Sequence, residues 1–225
     1  LLKTSNKSTD RVGSDILNNH LIVYAKRPIA GYTKTRLAAG IGAEGAAGVY
    51  ARMLYSLLFD IQAHQTKSLQ LTLSLASTED IPFFYAAFPE WTVTHQVKGD
   101  LGFRMTSSMK QEFQNGASKV VLVGSDIPYL SHSHIQQAFD GLDHSDIVFG
   151  PTNDGGFYLA GTTIPTLDIF RDIEWSTPSV LNKCQQNAFT QGHSVKLITK
   201  LYDMDTEKEY FDWQQRLLDR TQAKE

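Results

Sequence analysis

Apolar residues recur in blocks along the chain, and their spacing changes from block to block. The run His20-Leu-Ile-Val-Tyr-Ala-Lys26 is mostly apolar and ends in Arg27-Pro28 and Gly31, which predicts a buried strand entering a loop. Between Glu44 and His64, the residues Val49, Met53, Leu54, Leu57, Leu58 and Ile61 fall at three- and four-residue spacing, the mark of a helix with one buried face. Leu69 to Ala76 alternates Leu with Thr and Ser and predicts a second strand. Ile81 to Phe88 reads as a short aromatic-rich helix stopped before Pro89, and Trp91 to Val97 as a third strand. Helical spacing returns from Leu101 to Phe113, with Asp100 placed to cap it and Asn115-Gly116 to end it. Lys119 to Val123 is almost wholly Val and Leu, as a strand covered on both faces should be. Beyond it, Ser131 or Ser133 caps another helix, 146–149, 156–160 and 194–199 are strands, and 206–218 is a final helix. Residues 1–19 have no apolar period and are expected to form a flexible N-terminal arm, which leaves 20–225 as one domain.

Strands alternating with helices at this spacing predict an α/β fold of three layers, αβα, with a mostly parallel central sheet and right-handed crossovers. Such sheets bind ligands beyond the carboxyl ends of their strands, so the residues that directly follow strands become the site candidates. Composition narrows the partners. With 225 residues, 41% hydrophobic and 20% charged, the chain can bury a core of its own. A formal net charge of −3 supplies no broad cationic field, which argues against nucleic acid as partner and leaves small anions bound by local loops. The single cysteine, Cys184, excludes an intrachain disulfide and a Cys-based zinc site, and it reads as a small apolar helix residue. No apolar run approaches the ~20 residues of a membrane span, and a cytoplasmic location is the expectation.

Three loops meet the positional criterion. Lys26-Arg-Pro-Ile-Ala-Gly-Tyr-Thr-Lys-Thr-Arg36 sets four cations around one glycine directly after the first strand. Gly31 lets backbone approach phosphate oxygens, Lys34 supplies a point charge and Arg36 a bidentate fork; a solvated basic loop is the plainer alternative. Gly124-Ser125-Asp126-Ile127-Pro128 holds a carboxylate at the end of the most hydrophobic strand. Asp126 is the first choice as ligand to Mg²⁺ or Mn²⁺, which take oxygen donors, against an Asx turn that merely shapes the loop. Gly150 to Leu159 contains Asp154-Gly155-Gly156, either an ordinary hairpin turn or a sugar-facing segment in which Asp154 acts as base or hydroxyl acceptor. Late in the chain, Tyr202-Asp203-Met204-Asp205-Thr206 carries more acid than one helix cap needs. Asp205, ahead of Asp203, is expected to complete the metal site with Asp126.

Taken in order, Ala25-Lys26-x-Pro28-x-x-Gly31-x-x-Lys34-Thr35-Arg36-Leu37, Val123-Gly124-Ser125-Asp126-x-Pro128, Gly150-Pro151-x-x-Asp154-Gly155-Gly156-x-Tyr158 and Asp203-x-Asp205-Thr206 resemble one family. It is the DUF2064 group of glycosyltransferase-like proteins, associated with radical-SAM and selenodomain proteins and in part with arsenosugar synthesis. The resemblance takes in Gly99-Asp100-Leu101-Gly102 and Trp175-Ser176-Thr177-Pro178 and runs from Leu21 to the final helix. It implies a GT-A nucleotide-diphospho-sugar transferase fold. It implies phosphate binding along Lys26, Pro28, Gly31, Lys34, Thr35 and Arg36, a metal at Asp126 and Asp205, and a sugar or acceptor at Asp154, Gly155 and Gly156. Gly99, Leu101, Arg104, Ser125, Trp175 and Ser176 join as candidate substrate contacts. Phe103 departs from the pattern, since many relatives carry an acid there, so a polar contact from that position is not expected.

The resulting expectation is a metal-dependent glycosyltransferase that moves a sugar from a nucleotide sugar to a small-molecule acceptor, with Asp154 and Lys34 as catalytic residues. The alternative is a nucleotidyltransferase that joins an NMP from a nucleoside triphosphate to a phosphorylated substrate and releases pyrophosphate. The cations at 34 and 36 suit a triphosphate tail as well. A non-catalytic sensor would not need the acids at 126, 154 and 205.

Overall fold

A computed structural model describes residues 18–222. In chain order the elements are β1 (Asn19–Ala25), α1 (Thr35–Ile41), α2 (Ala43–Ala63), β2 (Leu69–Leu75), a 3₁₀ turn (Thr78–Asp80), α3 (Ile81–Ala87), β3 (Thr92–His95), α4 (Leu101–Gln114), β4 (Lys119–Gly124), α5 (His132–Gly141), β5 (Ile147–Pro151), β6 (Phe157–Thr162), α6 (Val180–Thr190), β7 (Val195–Leu197) and α7 (Glu207–Gln222). One seven-stranded sheet runs β3-β2-β1-β4-β6-β5-β7. It is parallel except for β6, which runs antiparallel to both β4 and β5.

The alternation along the strands sorts side chains to two cores. Leu69, Leu71, Leu73 and Leu75 of β2 share a face with Leu21, Val23 and Ala25 of β1, and α2, α3, α5 and α7 pack over it through Tyr50, Leu54, Leu58, Phe84, Ile135 and Trp213. The opposite face carries Ile22, Val120, Leu122, Phe149 and Ala160, covered by Met105 and Met109 of α4 and by Val180, Cys184 and Ala188 of α6. Each fully buried Leu or Phe contributes roughly 1.5–3 kcal/mol. This is the three-layer αβα arrangement, with β4, buried along Lys119 to Val123, at its centre. Cys184 is buried on α6, and burial pushes its thiol up to about 12, as suits a packing residue.

Three details differ from the sequence reading. The first strand starts at Asn19, not His20, because Ser118 N–H donates to the Asn18 carbonyl and Asn19 N–H to that of Ser68. The rest of the expected arm, residues 1–17, lies outside the described residues. A seven-residue helix, α1, takes in the last two residues of the cationic loop, Thr35 and Arg36, and continues to Ile41, anchored by the fully buried Leu37. The strand expected at 194–199 pairs only over Val195–Leu197. Among the described residues no helix is long and apolar enough to cross a membrane.

Candidate functional site

β1, β4 and β5 end at one edge of the sheet, and the chain leaving each of them, together with the segment after β7, builds the site. After β1 the chain turns on Thr33, buried, whose N–H and hydroxyl both return to the Ile29 carbonyl. Lys34 follows in the left-handed region, φ 49° and ψ 49°, as the cap of α1. That conformation costs a residue with a side chain roughly 1 kcal/mol, and it turns the ammonium inward. Lys34 Nζ donates to Asp126 Oδ2 at 3.0 Å, to the Asp126 carbonyl at 3.2 Å and to Asp205 Oδ1 at 2.8 Å. Arg36, exposed two residues further on, donates to the other oxygen of Asp205 at 3.3 Å. Residues 92 and 171 positions from Lys34 therefore meet on one cation.

Asp205 is free to do this because it is not the cap of α7. Thr206 and Glu209 form a reciprocal capping box: Asp205 N–H and Thr206 N–H donate to Glu209 Oε2 at 2.7 and 2.8 Å, and Glu209 N–H donates to Thr206 Oγ1. Asp126 is set by its own loop. Ser125 beside it is buried, and its hydroxyl meets Tyr50 Oη at 2.9 Å, while Lys26 N–H donates to the same phenol. Tyr50, from the buried stripe of α2, thus ties the loop after β1 to the loop after β4. Burial raises the Tyr50 hydroxyl above its ordinary value, which keeps it neutral in this role.

The electrostatics are dominated by mutual compensation. Burial alone would pull the Lys34 ammonium down, but attraction to Asp126 and then Asp205, with their hydrogen bonds, outweighs it and holds the group above the usual lysine value. Asp203 behaves oppositely. Burial raises it first, and repulsion from Asp154, Asp126 and Asp205 adds to that against a smaller pull from Lys34, so its carboxyl is pushed up to about 7. Asp203, ranked second in the sequence reading, also forms part of the wall of two adjoining cavities. One, of about 140 Å³, includes Tyr24, Leu101, Asp126 and Tyr158; the other, of about 220 Å³, includes Asn153, Asp154, Glu209, Asp212 and Arg216.

Asp154 sits in the turn between β5 and β6, so the hairpin reading of Asp-Gly-Gly is the observed one. Its Oδ1 accepts from Thr152 Oγ1 at 2.6 Å and Gly156 N–H at 3.0 Å, which shapes the turn, and the residue lies on the wall of the larger of the two cavities. Gly155 has φ +88°, and a Cβ there would meet the Pro178 carbonyl oxygen at 2.1 Å, so only glycine lets the Trp175–Pro178 loop close on this turn. Within that loop Trp175 packs into an aromatic cluster with Phe157 and Phe170, while Ser176 is exposed. Lys26, Gly31 and Thr35 lie exposed along the first loop, Pro28 half-buried, and space around Gly31 is open. Gly99 is exposed before α4, and Arg104 is tied to Gln96 Oε1 at 2.9 Å and the Asp100 carbonyl.

A divalent cation has a partial frame here. Among the described residues no three His, Cys, Asp or Glu side chains are grouped to hold an ion by themselves. Hard cations in phosphate-transfer sites, however, are commonly held by one or two carboxylates and completed by substrate phosphates. Asp126 and Asp205 are an oxygen donor pair of that kind. Asp126 Oδ1 lies outside the Lys34 contact, and the missing Cβ of Gly124, which would stand 3.3 Å from it, leaves that side clear. The residues present fit such an ion.

A family model described as an uncharacterized protein conserved in bacteria, DUF2064, matches residues 58–177, more than half of the chain. The chain belongs to the DUF2064 family. Comparison with curated proteins gives no match. Among solved structures, this DUF2064 chain is similar to a candidate nucleotide-diphospho-sugar transferase from Desulfovibrio desulfuricans G20, with TM-score 0.77 and 29% identity over 84% of this chain and 83% of that one. It shares its fold with 4-diphosphocytidyl-2C-methyl-D-erythritol synthase from Anaerococcus prevotii DSM 20548, at TM-score 0.57 and 12% identity over 91% of this chain and all of that one (100%). A third similar fold is a mannosyltransferase from Pyrobaculum calidifontis solved with GDP-Man and Mn²⁺, at TM-score 0.51 and 11% identity over 87% of this chain and 59% of that one. The DUF2064 chain thus has the nucleotide-diphospho-sugar transferase fold, and its structural neighbours are nucleotidyl and glycosyl transferases.

Proposed function

We propose that this transferase is a metal-dependent glycosyltransferase that moves a sugar from a nucleoside-diphosphate donor to a small uncharged acceptor. The observation that carries this reading is the meeting of Asp126 and Asp205 on Lys34 and Arg36 at the carboxyl edge of the sheet. Arg36 and Lys26 are exposed cations on the loop after β1, where they bind the donor's phosphate oxygens, and Gly31 leaves backbone accessible beside them. A Mg²⁺ or Mn²⁺ ion held by Asp126 and Asp205 would neutralise charge developing on the departing nucleoside diphosphate. Asp154 faces the acceptor through Oδ2, its other oxygen being committed to the turn, and orients the attacking hydroxyl. Leu101 and Tyr158 supply apolar wall next to Asp126 and exclude water.

The choice of sugar transfer over nucleotidyl transfer to a phosphorylated substrate rests on the acids of the larger cavity. Asp154, Asp203, Glu209 and Asp212 face one cation there, Arg216, whose guanidinium lies 4.8 Å over the Tyr202 ring. That surface repels a phosphorylated acceptor and tolerates a neutral hydroxylated one. The test is incubation with Mn²⁺, a panel of nucleotide sugars and neutral polyol acceptors, reading release of nucleoside diphosphate. Intact donor binding with no release across the panel sinks glycosyl transfer, and pyrophosphate release from a nucleoside triphosphate with a phosphorylated substrate would replace it with nucleotidyl transfer.

A further inference from the structure

The Lys34 ammonium has no capacity to spare. Its three protons are matched by three oxygens, two from Asp126 and one from Asp205, at 2.8–3.2 Å. Its side chain is 4% exposed, whereas the two carboxylates it joins are 48% and 38% exposed. An ammonium so buried is costly without its acids, while the acids keep an outer side toward solvent. The charges in direct contact also balance: Lys34 and Arg36 against Asp126 and Asp205. A divalent ion brought to these carboxylates meets an ammonium that already holds one oxygen of each. Phosphate groups change the balance, since they bring negative charge for the ion and an alternative set of acceptors for Lys34.

We propose that Lys34 is the resident counter-cation of the Asp126–Asp205 pair, so that a divalent ion occupies these carboxylates together with a nucleoside diphosphate and not before it. Donor phosphates would offer the ammonium other acceptors, and Asp126 and Asp205 would then be able to hold the ion. Lys34 is then a positioning residue that fixes the order of binding and keeps the acids collapsed while the donor is absent. The inference rests on the metal reading above but is indifferent to whether sugar or nucleotide is transferred.

The experiment measures Mn²⁺ binding by loss of the free-ion EPR signal beyond that in protein-free controls of the same composition, first with Mn²⁺ alone and then with ADP, GDP, CDP and UDP in turn. Wild-type protein is expected to bind Mn²⁺ at least about tenfold more tightly with one of the diphosphates than without, a coupling typical of linked sites. Lys34→Met, which keeps the chain length and removes the charge, is expected to bind nucleotide-free Mn²⁺ at least about tenfold more tightly than wild type, with the diphosphate dependence diminished. Lys34→Arg keeps the charge and should retain the wild-type order, and the wild-type titrations stand even if the Met variant does not fold. Tight nucleotide-free Mn²⁺ binding by wild type overturns the inference and leaves the transferase reading intact. Absence of Mn²⁺ binding in every condition overturns the metal assignment beneath both.

Discussion

Two polar clusters, one within the fold and one at the carboxyl edge of the sheet, are built from similar parts to opposite ends. In one, on the face covered by α4, Glu112 accepts from Thr72 Oγ1 at 2.9 Å and is bonded to His20 Nδ1 at 2.7 Å. All of its members are buried, with side-chain exposures of 5% for His20 and 7% for Glu112. In the other, Lys34 is equally buried but its acids are half open to solvent at the carboxyl edge. The first cluster joins β1, β2 and α4, with Thr72 and Glu112 on the wall of a cavity of about 500 Å³. The second joins loops, and each of its carboxylates keeps an outer side. Burial of every partner turns a polar cluster into a clamp, while burial of only the cation leaves a site whose acids can exchange one positive charge for another.

The largest effect on stability should come from the closed cluster. Glu112→Ala strands His20 and Thr72 in a buried setting and is expected to cost about 3–5 kcal/mol by chemical denaturation, the range for breaking a buried pair from one side. Donor affinity per folded molecule should be unchanged, because the cluster lies away from the acids that meet Lys34. The same carboxyl gives the comparison a pH signature. Burial on its own would raise Glu112, but hydrogen bonds from His20 and Thr72 and the attraction of His20 outweigh it and hold the group below the ordinary value. A carboxyl depressed in the folded state stabilises above its unfolded-state pKa, and that contribution is lost as pH falls through the folded-state value. Glu112→Gln should therefore flatten part of the acid limb of the stability curve. An acid limb identical to wild type would mean that the cluster is not the clamp described.

Asp126→Ala reverses the pattern. Lys34 keeps Asp205 and the carbonyl of residue 126, so the stability cost is expected to be about 1–3 kcal/mol, the scale for one hydrogen bond to a charged group. Metal-dependent nucleotide binding, measured by calorimetry with and without Mn²⁺, should fall by at least about a hundredfold. If the two substitutions instead damage stability and binding in the same proportion, the division into clamp and site fails.

The sheet was legible because its strands are written in alternation, Leu with Thr and Ser in β2 and near-continuous Val in β4. Strand direction was not, since side-chain period is the same either way, and β6 returns antiparallel through the Asp154 turn. α1 escaped notice because Thr35–Ile41 has one buried residue, Leu37, and no period. α6 has three, Val180, Cys184 and Ala188, at four-residue spacing, a signal present but diluted by eight other residues in an eleven-residue helix. The convergence of Asp126 and Asp205 could be expected from their places after strands. The position of Asp203 could not, since it depends on burial among acids that only the fold brings near. Thr206 and Glu209 were the readable clue that Asp205 was spared from capping. Tyr50 gave no clue: it lies on the apolar stripe of α2, and only its partners Ser125 and Lys26 set it apart from core.

The smallest effect sharpens the comparison most finely. Arg36 is 73% exposed and touches only one oxygen of Asp205, at 3.3 Å, whereas Lys34 beside it is buried against both acids. An exposed ion pair of this kind contributes about 0–1 kcal/mol to folding, so Arg36→Ala should leave the melting curve nearly unmoved. If Arg36 binds the donor's phosphates, its removal should weaken nucleotide binding several-fold at low salt, and the difference should shrink as ionic strength shortens the Debye length toward ~8 Å at 0.15 M. A stability loss as large as that of Asp126→Ala would show that Arg36 belongs to the frame holding Asp205. A binding loss independent of salt would show that it acts by shape and not by charge.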